Sequence, residues 1–221
     1  NFSGGAKLSY SAGEIEPEEL TAFEVGIWSG TITLKNASDN ASITVQTMAP
    51  PNIEGISNSF NVQPNDLHYL NLSGIEPTYL IDSAIPLEIT AEDMYGNIIT
   101  NYQGTFSLSD DTQTIEPSVG TFTSGKFIGS VIISRAKPHI KITVTSAGKT
   151  ALSDLFTTLI DDDTGGIVTG EAGDEKTTVE IDRQTLPSDF YITIDPDPQQ
   201  QRLDINLADS ALTHDLTSRG I

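Results

Sequence analysis

Apolar positions alternate with Thr, Ser or charged residues along most of the chain. Gly30-Thr31-Ile32-Thr33-Leu34, Ser42-Ile43-Thr44-Val45-Gln46, Ile85-Pro86-Leu87-Glu88-Ile89-Thr90, Gly104-Thr105-Phe106-Ser107-Leu108 and Ile140-Lys141-Ile142-Thr143-Val144 all follow this rule. A period of two puts one face of each segment in a core and the other in water, which predicts short β-strands. Turn-rich pieces separate them: Asp93-Met94-Tyr95-Gly96-Asn97, Ser109-Asp110-Asp111-Thr112 and Ser146-Ala147-Gly148-Lys149. Short strands at regular spacing with polar turns indicate an all-β chain of β-sandwiches. Pro17 interrupts Glu14–Phe23, so a turn or short helical turn is expected there. Leu203–Leu216 is the best helix candidate, with apolar spacing that fits either period.

The chain also resembles itself at a spacing of about 100 residues. Ile15-Glu16-Pro17 recurs as Ile115-Glu116-Pro117, and Trp28-Ser29-Gly30-Thr31-Ile32-Thr33-Leu34 as Phe127-Ile128-Gly129-Ser130-Val131-Ile132-Ile133. Ile43-Thr44-Val45 matches Ile142-Thr143-Val144, and Ser57-Asn58-Ser59-Phe60 matches Ser153-Asp154-Leu155-Phe156. Apolar alternation alone does not bring Glu-Pro and Ser-x-x-Phe into the same order twice. Residues 1–62 therefore read as the C-terminal part of one sandwich. Residues 63–158 read as a complete one, entered through the linker Val62-Gln63-Pro64-Asn65 and opening on the strand Asp66–Leu72. After the polar boundary Asp161-Asp162-Asp163-Thr164-Gly165-Gly166 the repeat is lost. Residues 159–221 read as part of a different β-rich domain, with strands at Thr177–Ile181 and Phe190–Ile194 joined by a turn at Leu186–Asp189. The first unit lacks the early strands of its sandwich, and open sheet edges invite pairing. Either the polypeptide continues upstream or another chain supplies those strands.

Composition narrows the range of partners. Among 221 residues, 31 are acidic and 11 basic, a formal net charge of -20. Nucleic acid and anionic membrane both require a basic footprint, which this chain lacks. No run of about 18 apolar residues exists to form a spanning helix, so no direct membrane insertion is expected. The absence of Cys removes disulfides, thiol nucleophiles and Cys-type metal sites. The chain opens Asn1-Phe2-Ser3 without Met or an apolar leader, as a mature or excised piece would.

Ile89-Thr90-Ala91-Glu92-Asp93-Met94-Tyr95-Gly96-Asn97-Ile98-Ile99 resembles the Asp-x-x-Gly-Asn turn of bacterial immunoglobulin-like (Big) repeats, including those of invasin- and intimin-type adhesins. Tyr102–Ser109 is similar to the strand that follows in such units, and Gly55–Val62 resembles the end of tandem units. The resemblance covers roughly residues 10–158 and implies spacers, adhesive stalks or wall-forming modules outside the cell. Independently of the family, Gly96 accepts a positive φ, Asn97 tolerates one, and Asp93 can bond N–H groups within its own turn.

Calcium is the candidate ligand. It favours six to eight oxygens from Asp, Asn and carbonyls. Asp93 with Asn97 and the run Asp161-Asp162-Asp163 form the candidate set, and Asp110 with Asp111 and Asp195 with Asp197 are also oxygen-rich. The simpler reading is that Asp and Asn favour turns and keep the surface solvated. Asn36, Asn40 and Asn71 stand in Asn-x-Ser sequences and are candidate glycosylation sites, as is Asn1 by the same pattern. Trp28 with Phe23 and Ile27 would suit a sugar platform, but its repeat partner Phe127 argues for a core position. Lys35 and Lys126 are the lysines considered for an isopeptide cross-link, with no spacing to select either. His68, His139 and His214 are scattered, and there is no nucleophile elbow or phosphate loop, so no catalytic residue is assigned.

These observations converge on a non-catalytic structural or adhesive segment of a large prokaryotic protein that is extracellular or on the cell surface. It would act as a spacer or as a surface-layer or filament subunit. Its partners would be neighbouring domains, copies of the same protein, or cell-surface glycans or proteins. The alternative is an accessory β-sandwich region of a secreted polysaccharide-degrading enzyme.

Overall fold

A computed structural model describes residues 2–21, 23–161, 163, 165–172, 175–181, 189–194, 203–207 and 214–216. The described residues are all-β, in accord with the alternating pattern. The strands are β1 (Ala6–Tyr10), β2 (Ile15–Glu16), β3 (Glu19–Leu20), β4 (Thr33–Leu34), β5 (Ser38–Ala41), β6 (Ile43–Thr47), β7 (Glu54–Ile56) and β8 (Phe60–Val62). There follow β9 (Tyr69–Ser73), β10 (Thr78–Leu80), β11 (Ile85–Glu92), β12 (Thr105–Asp110), β13 (Val119–Thr121), β14 (Lys126–Val131), β15 (Lys137–Ile140), β16 (Ile142–Ser146), β17 (Lys149–Leu152) and β18 (Phe156–Leu159). The last are β19 (Gly166–Ala172), β20 (Glu175–Ile181), β21 (Phe190–Ile194), β22 (Leu203–Leu207) and β23 (His214–Leu216).

The chain forms two compact units. Unit 1 comprises Asn1–Tyr69 with Ala91–Asn101, and unit 2 comprises Leu70–Thr90 with Tyr102–Ile221. Unit 1 contains a four-stranded sheet in the order β3-β1-β6-β7 and the pairs β2-β4 and β5-β8. Unit 2 contains the sheets β13-β12-β16-β17, β14-β11-β9 and β10-β18-β15, the hairpin β19-β20 and the sheet β21-β22-β23.

The internal repeat reappears as identical ladders. Leu8, Ser9 and Tyr10 face Val45, Thr44 and Ile43, while Leu108, Ser109 and Asp110 face Val144, Thr143 and Ile142. Glu16 pairs with Thr33, and Glu116 with Ile132. Leu8 N–H donates to Glu18 O, and Leu108 N–H to Ser118 O, each at 2.7 Å. The Glu16–Pro17 and Glu116–Pro117 peptide bonds are both cis. Ala41 faces Phe60 and Ile140 faces Phe156, each beside a shift of register.

The serines of the repeated Ser-x-x-Phe share one geometry. Ser57 Oγ accepts from Ile43 N–H and donates to Asn58 O. Ser153 Oγ accepts from Ile142 N–H and donates to Asp154 O.

Several sequence expectations change. Ile140–Val144 is not one strand. The chain leaves β15 and enters a different sheet as β16, breaking at Lys141. The freed Lys141 N–H donates to Asp111 Oδ2 at 2.9 Å, as Ser42 N–H, at the same place in unit 1, donates to Ser11 Oγ at 2.8 Å. A backbone donor removed from its ladder must find another acceptor. The helix candidate Leu203–Leu216 is β22 and β23 in its described parts. Leu203, Ile205 and Leu207 alternate with Asp204 and Asn206, and the segment pairs with β21 across its whole length. An available ladder partner resolves a pattern that fits both periods. Short strands β2 and β3 occupy the Glu14–Phe23 stretch, where a turn was expected. The turn expected at Leu186–Asp189 lies outside the described residues apart from Asp189.

The buried apolar side chains of unit 2 include Ile85, Leu87 and Ile89 of β11 and Phe106, Leu108, Val131, Ile133, Ile140, Ile142, Val144 and Phe156. Full burial of each such side chain is worth about 1.5–3 kcal/mol. Phe106 adds edge-to-face contacts with Phe122 and Phe127, at 5.1 and 4.9 Å between ring centres. In unit 1 the sealed core is Ala6, Leu8, Tyr10, Ile15, Leu20 and Ala41. Phe23, Trp28, Ile32, Leu34, Ile43, Phe60 and Val62 are only partly covered around it.

Candidate functional site

The most heavily bonded polar group in unit 1 is the turn Asp93-Met94-Tyr95-Gly96-Asn97. It forms because Gly96 adopts φ 81° and the backbone closes on itself, Gly96 N–H donating to Asp93 O at 3.1 Å and Asp93 N–H to Asn97 O at 2.9 Å. Asp93 is 1% exposed. Its Oδ1 accepts the N–H groups of Tyr95 at 2.8 Å and Asn97 at 3.0 Å. Its Oδ2 accepts Asn65 N–H from the linker at 3.0 Å and Asn97 Nδ2 at 2.9 Å. The Asn97 carboxamide then reaches a third segment. Its Nδ2 donates to Lys35 O at 2.7 Å, and its Oδ1 accepts Ala37 N–H at 2.9 Å.

One side chain thus bonds the peptide groups on either side of Asn36, as a neighbouring strand would. Asn36 is held from its other side, where its carbonyl accepts Tyr10 O–H at 2.7 Å and its Oδ1 accepts Glu14 N–H at 2.9 Å. No buried side-chain N or O atom among the described residues lacks a partner.

Burial is the largest influence on Asp93 and opposes its charge. The Asn97 side-chain bond and the N–H groups of Asn65, Asn97 and Tyr95 together outweigh it, so the carboxyl lies below the usual aspartate range. A second buried carboxylate, Asp110, is held in the same manner by the N–H groups of Thr112 at 2.6 Å, Thr114 at 2.9 Å and Ile115 at 2.9 Å, together with the Thr112 hydroxyl. Lys35 is paired with Glu16 and Glu14, and the hydrogen bonds to these two carboxylates push its ammonium up to about 12.

The candidate calcium set falls in two places, and Asp195 and Asp197 lie outside the described residues. Asp93 and Asn97 present theirs to N–H donors, as described. Asp161 Oδ1 accepts Asp163 N–H at 2.8 Å and Asp161 O accepts Gly165 N–H at 2.9 Å, which closes a turn, and Asp162 lies outside the described residues. Among the described residues no three acidic or histidine side chains form a group able to hold a metal ion.

Of the asparagines, Asn40 on β5 and Asn71 on β9 are exposed, while Asn36 is half-buried with its carboxamide packed over Gly13. Asn1 is outside the described residues. Trp28 and Phe23 pack against the unit 1 core, and Ile27 is exposed. His68 stacks edge-on against Tyr69 at 4.4 Å, His139 is exposed with φ 53°, and His214 lies on β23.

The bonded group engages Lys35 and Asn36, singled out in the sequence for other chemistry, at their backbone atoms. Lys35-Asn36-Ala37 contributes backbone atoms, which carry no sequence signature. Ser57 and Ser153 were visible only as repeated letters. The oxygen-rich pair Asp110-Asp111 divides its work, Asp110 bonding its own turn and Asp111 capping the sheet crossing.

No protein-family model and no curated protein matches the sequence. Among solved structures the chain is similar to FdeC, an Escherichia coli adhesin, at 12% identity and TM-score 0.41, covering 97% of this chain and 85% of that one. It is similar to domains 4–9 of the surface layer protein SbsC at 12% identity and TM-score 0.35, covering 95% and 46%. It is also similar to a longer piece of that S-layer protein at 12% identity and TM-score 0.33, covering 97% and 32%.

Proposed function

We propose that the chain is a non-catalytic structural segment of an extracellular or cell-surface protein, built from tandem immunoglobulin-like units of the Big type. In this reading residues 1–62 are the later part of one unit, 63–158 a complete unit and 159–221 part of a further β-rich domain. The observation that carries the reading is the repetition of the same ladders, crossing and serine bonds in residues 6–62 and 106–159. A chain that spends its buried polar groups on backbone N–H bonds is built to hold shape, and tandem units derive stability from themselves and their neighbours. The net charge of -20 suits a solvated, mutually repelling surface.

Antibody labelling of intact cells tests location. Labelling that appears only after permeabilisation removes the reading. Electron microscopy of the purified parent protein then separates ordered assembly from isolated particles. Calcium at Asp161–Asp163 belongs to the same proposal, and a melting temperature indifferent to chelator would remove it.

A further inference from the structure

One turn is built twice in this chain with opposite surface chemistry. Phe23-Glu24-Val25-Gly26-Ile27-Trp28 corresponds to Phe122-Thr123-Ser124-Gly125-Lys126-Phe127. In the first, Glu24 N–H donates to Ile27 O at 2.8 Å and Ile27 N–H to Glu24 O at 2.9 Å. In the second, Thr123 N–H donates to Lys126 O at 2.7 Å and Lys126 N–H to Thr123 O at 3.0 Å. Both central residues take a positive φ in each turn: 55° at Val25 and 84° at Gly26, 51° at Ser124 and 75° at Gly125. Beside each turn the same ring pair meets edge-on, Phe2 with Phe23 at 5.0 Å and Tyr102 with Phe122 at 5.1 Å.

The turn itself therefore does not require apolar residues at its tip. Unit 2 places Ser124 and Lys126 there, whereas unit 1 places Val25, 79% exposed, and Ile27, 67% exposed. A β-branched residue is also a poor occupant of the left-handed region, which favours Gly, Asn or Asp. The exposed apolar surface continues from the turn. A Cβ on Gly26 would lie 3.8 Å from Phe2 N, one on Gly4 3.0 Å from the Phe2 ring, and one on Gly5 2.8 Å from Met48 Sδ. Thr47 N–H then donates to Ile53 O at 2.9 Å. Phe2, Met48 and Ile53 are exposed too. In the places of Phe2 and Met48, unit 2 has Tyr102, whose hydroxyl bonds Ser146 Oγ at 2.7 Å, and the small Ala147.

We propose that Phe2, Val25, Ile27, Met48 and Ile53 form the face through which two copies of this chain associate, each using the same patch. Two observations select a second copy as the occupant. The first is charge. Among residues 2–5, 24–27 and 48–53 only Glu24 is charged, in a chain of net charge -20. A basic partner would find one carboxylate to pair with, too little for charge-directed docking. A second copy brings an equally uncharged face, and repulsion between the acidic surfaces elsewhere confines the contact to this one. The second is area. Five side chains at these exposures present on the order of 500 Å² of apolar surface per molecule, the scale at which a patch marks an interaction site. Two such faces together reach the roughly 1,000 Å² of a specific interface. The proposal goes beyond the structural reading above by naming where copies meet, and it stands whatever the location of the protein.

Analytical ultracentrifugation of the 221-residue chain tests it. A dimer is expected at about 100 μM, a range suited to interfaces at the small end of the size classes. Raised salt should tighten it by screening the acidic surfaces. Val25→Ser with Ile27→Lys installs the residues that the same turn carries in unit 2, so the fold is retained, and the dimer should weaken by about tenfold or more. Ile128→Ser, at an equally exposed position on β14 outside this face, should leave the dimer unchanged. Amide signals of residues 24–27 and 48–53 should move as the unaltered chain is concentrated, a readout that needs no variant. A monomer at that concentration overturns the proposal. So does a dimer that salt disperses, that the double variant leaves intact, or that forms without movement of those signals. A monomer that floats with vesicles of zwitterionic phosphatidylcholine overturns it as well, and would assign the face to a lipid surface.

Discussion

Val45 and Val144 hold the same place in the same ladder, opposite Leu8 and Leu108, and have opposite environments. The strands around them match in register, crossing and serine bonds. Among the described strands β11 of unit 2 pairs with β14, and Trp28–Ile32, the counterpart of Phe127–Val131, has no such partner. Burial at these positions is therefore not fixed by the residue type and its own ladder alone. The same comparison explains why one apolar-x-Gly segment is strand β14 and its twin is not a strand. A ladder needs two sides, and propensity alone does not supply the second.

The comparison can be broken most directly at those valines. Val144→Asp puts an unpaired charge in a sealed core and should abolish folded unit 2. Val45→Asp should leave the first repeat folded, with resolved amide signals in a two-dimensional NMR spectrum. Equal damage from both would show that the two faces are equally closed.

Asp93 comes next. Asp93→Ala leaves the N–H groups of Asn65, Tyr95 and Asn97 without their carboxylate and should cost about 2–4 kcal/mol in urea unfolding of unit 1. Asp93 also sets a pH dependence. Because its folded pKa lies below the ordinary value of about 3.9, its stabilisation is complete above that value and lost as pH falls through the depressed one. Asp93→Asn should flatten that acid limb, whereas Asn97→Ala should weaken the joint by about 1–2 kcal/mol, through the unpaired Lys35 O and Ala37 N–H.

The serines sharpen the comparison at smaller scale. Ser153 is buried and Ser57 exposed, with the same bonds. Ser153→Ala should cost about 1 kcal/mol, and Ser57→Ala clearly less, because water replaces the lost partner. Smallest of all, Lys35→Met should leave the melting temperature unchanged within error, since Glu14 and Glu16 are exposed.

Much of the fold was legible beforehand because alternation and repetition are local properties. The Ile-Glu-Pro and Ser-x-x-Phe pairs located equivalent strands, and Asp93-x-x-Gly96-Asn97 announced a tight turn. The break at Lys141 was not legible, because the residues on both sides continue the alternation and only sheet membership changes. Nor was the helix candidate Leu203–Leu216 decidable, since three alternating apolar residues in a short window satisfy either period until a partner such as β21 is present. The site was half legible. Asp93 and Asn97 were picked out as oxygen donors, but the atoms they engage are backbone groups of Asn65, Lys35 and Ala37, which any residue would offer.

The sequence by itself determined the strand class, the repeat, the glycine-dependent turn and the acidic surface, because each depends on neighbours within a few residues or on composition. Tertiary structure alone decided which alternating segments found a ladder, which valine was sealed, and that Asn97 bonds the chain around Asn36. These outcomes depend on groups far apart along the chain, and hydrogen bonding and burial are settled by what stands opposite.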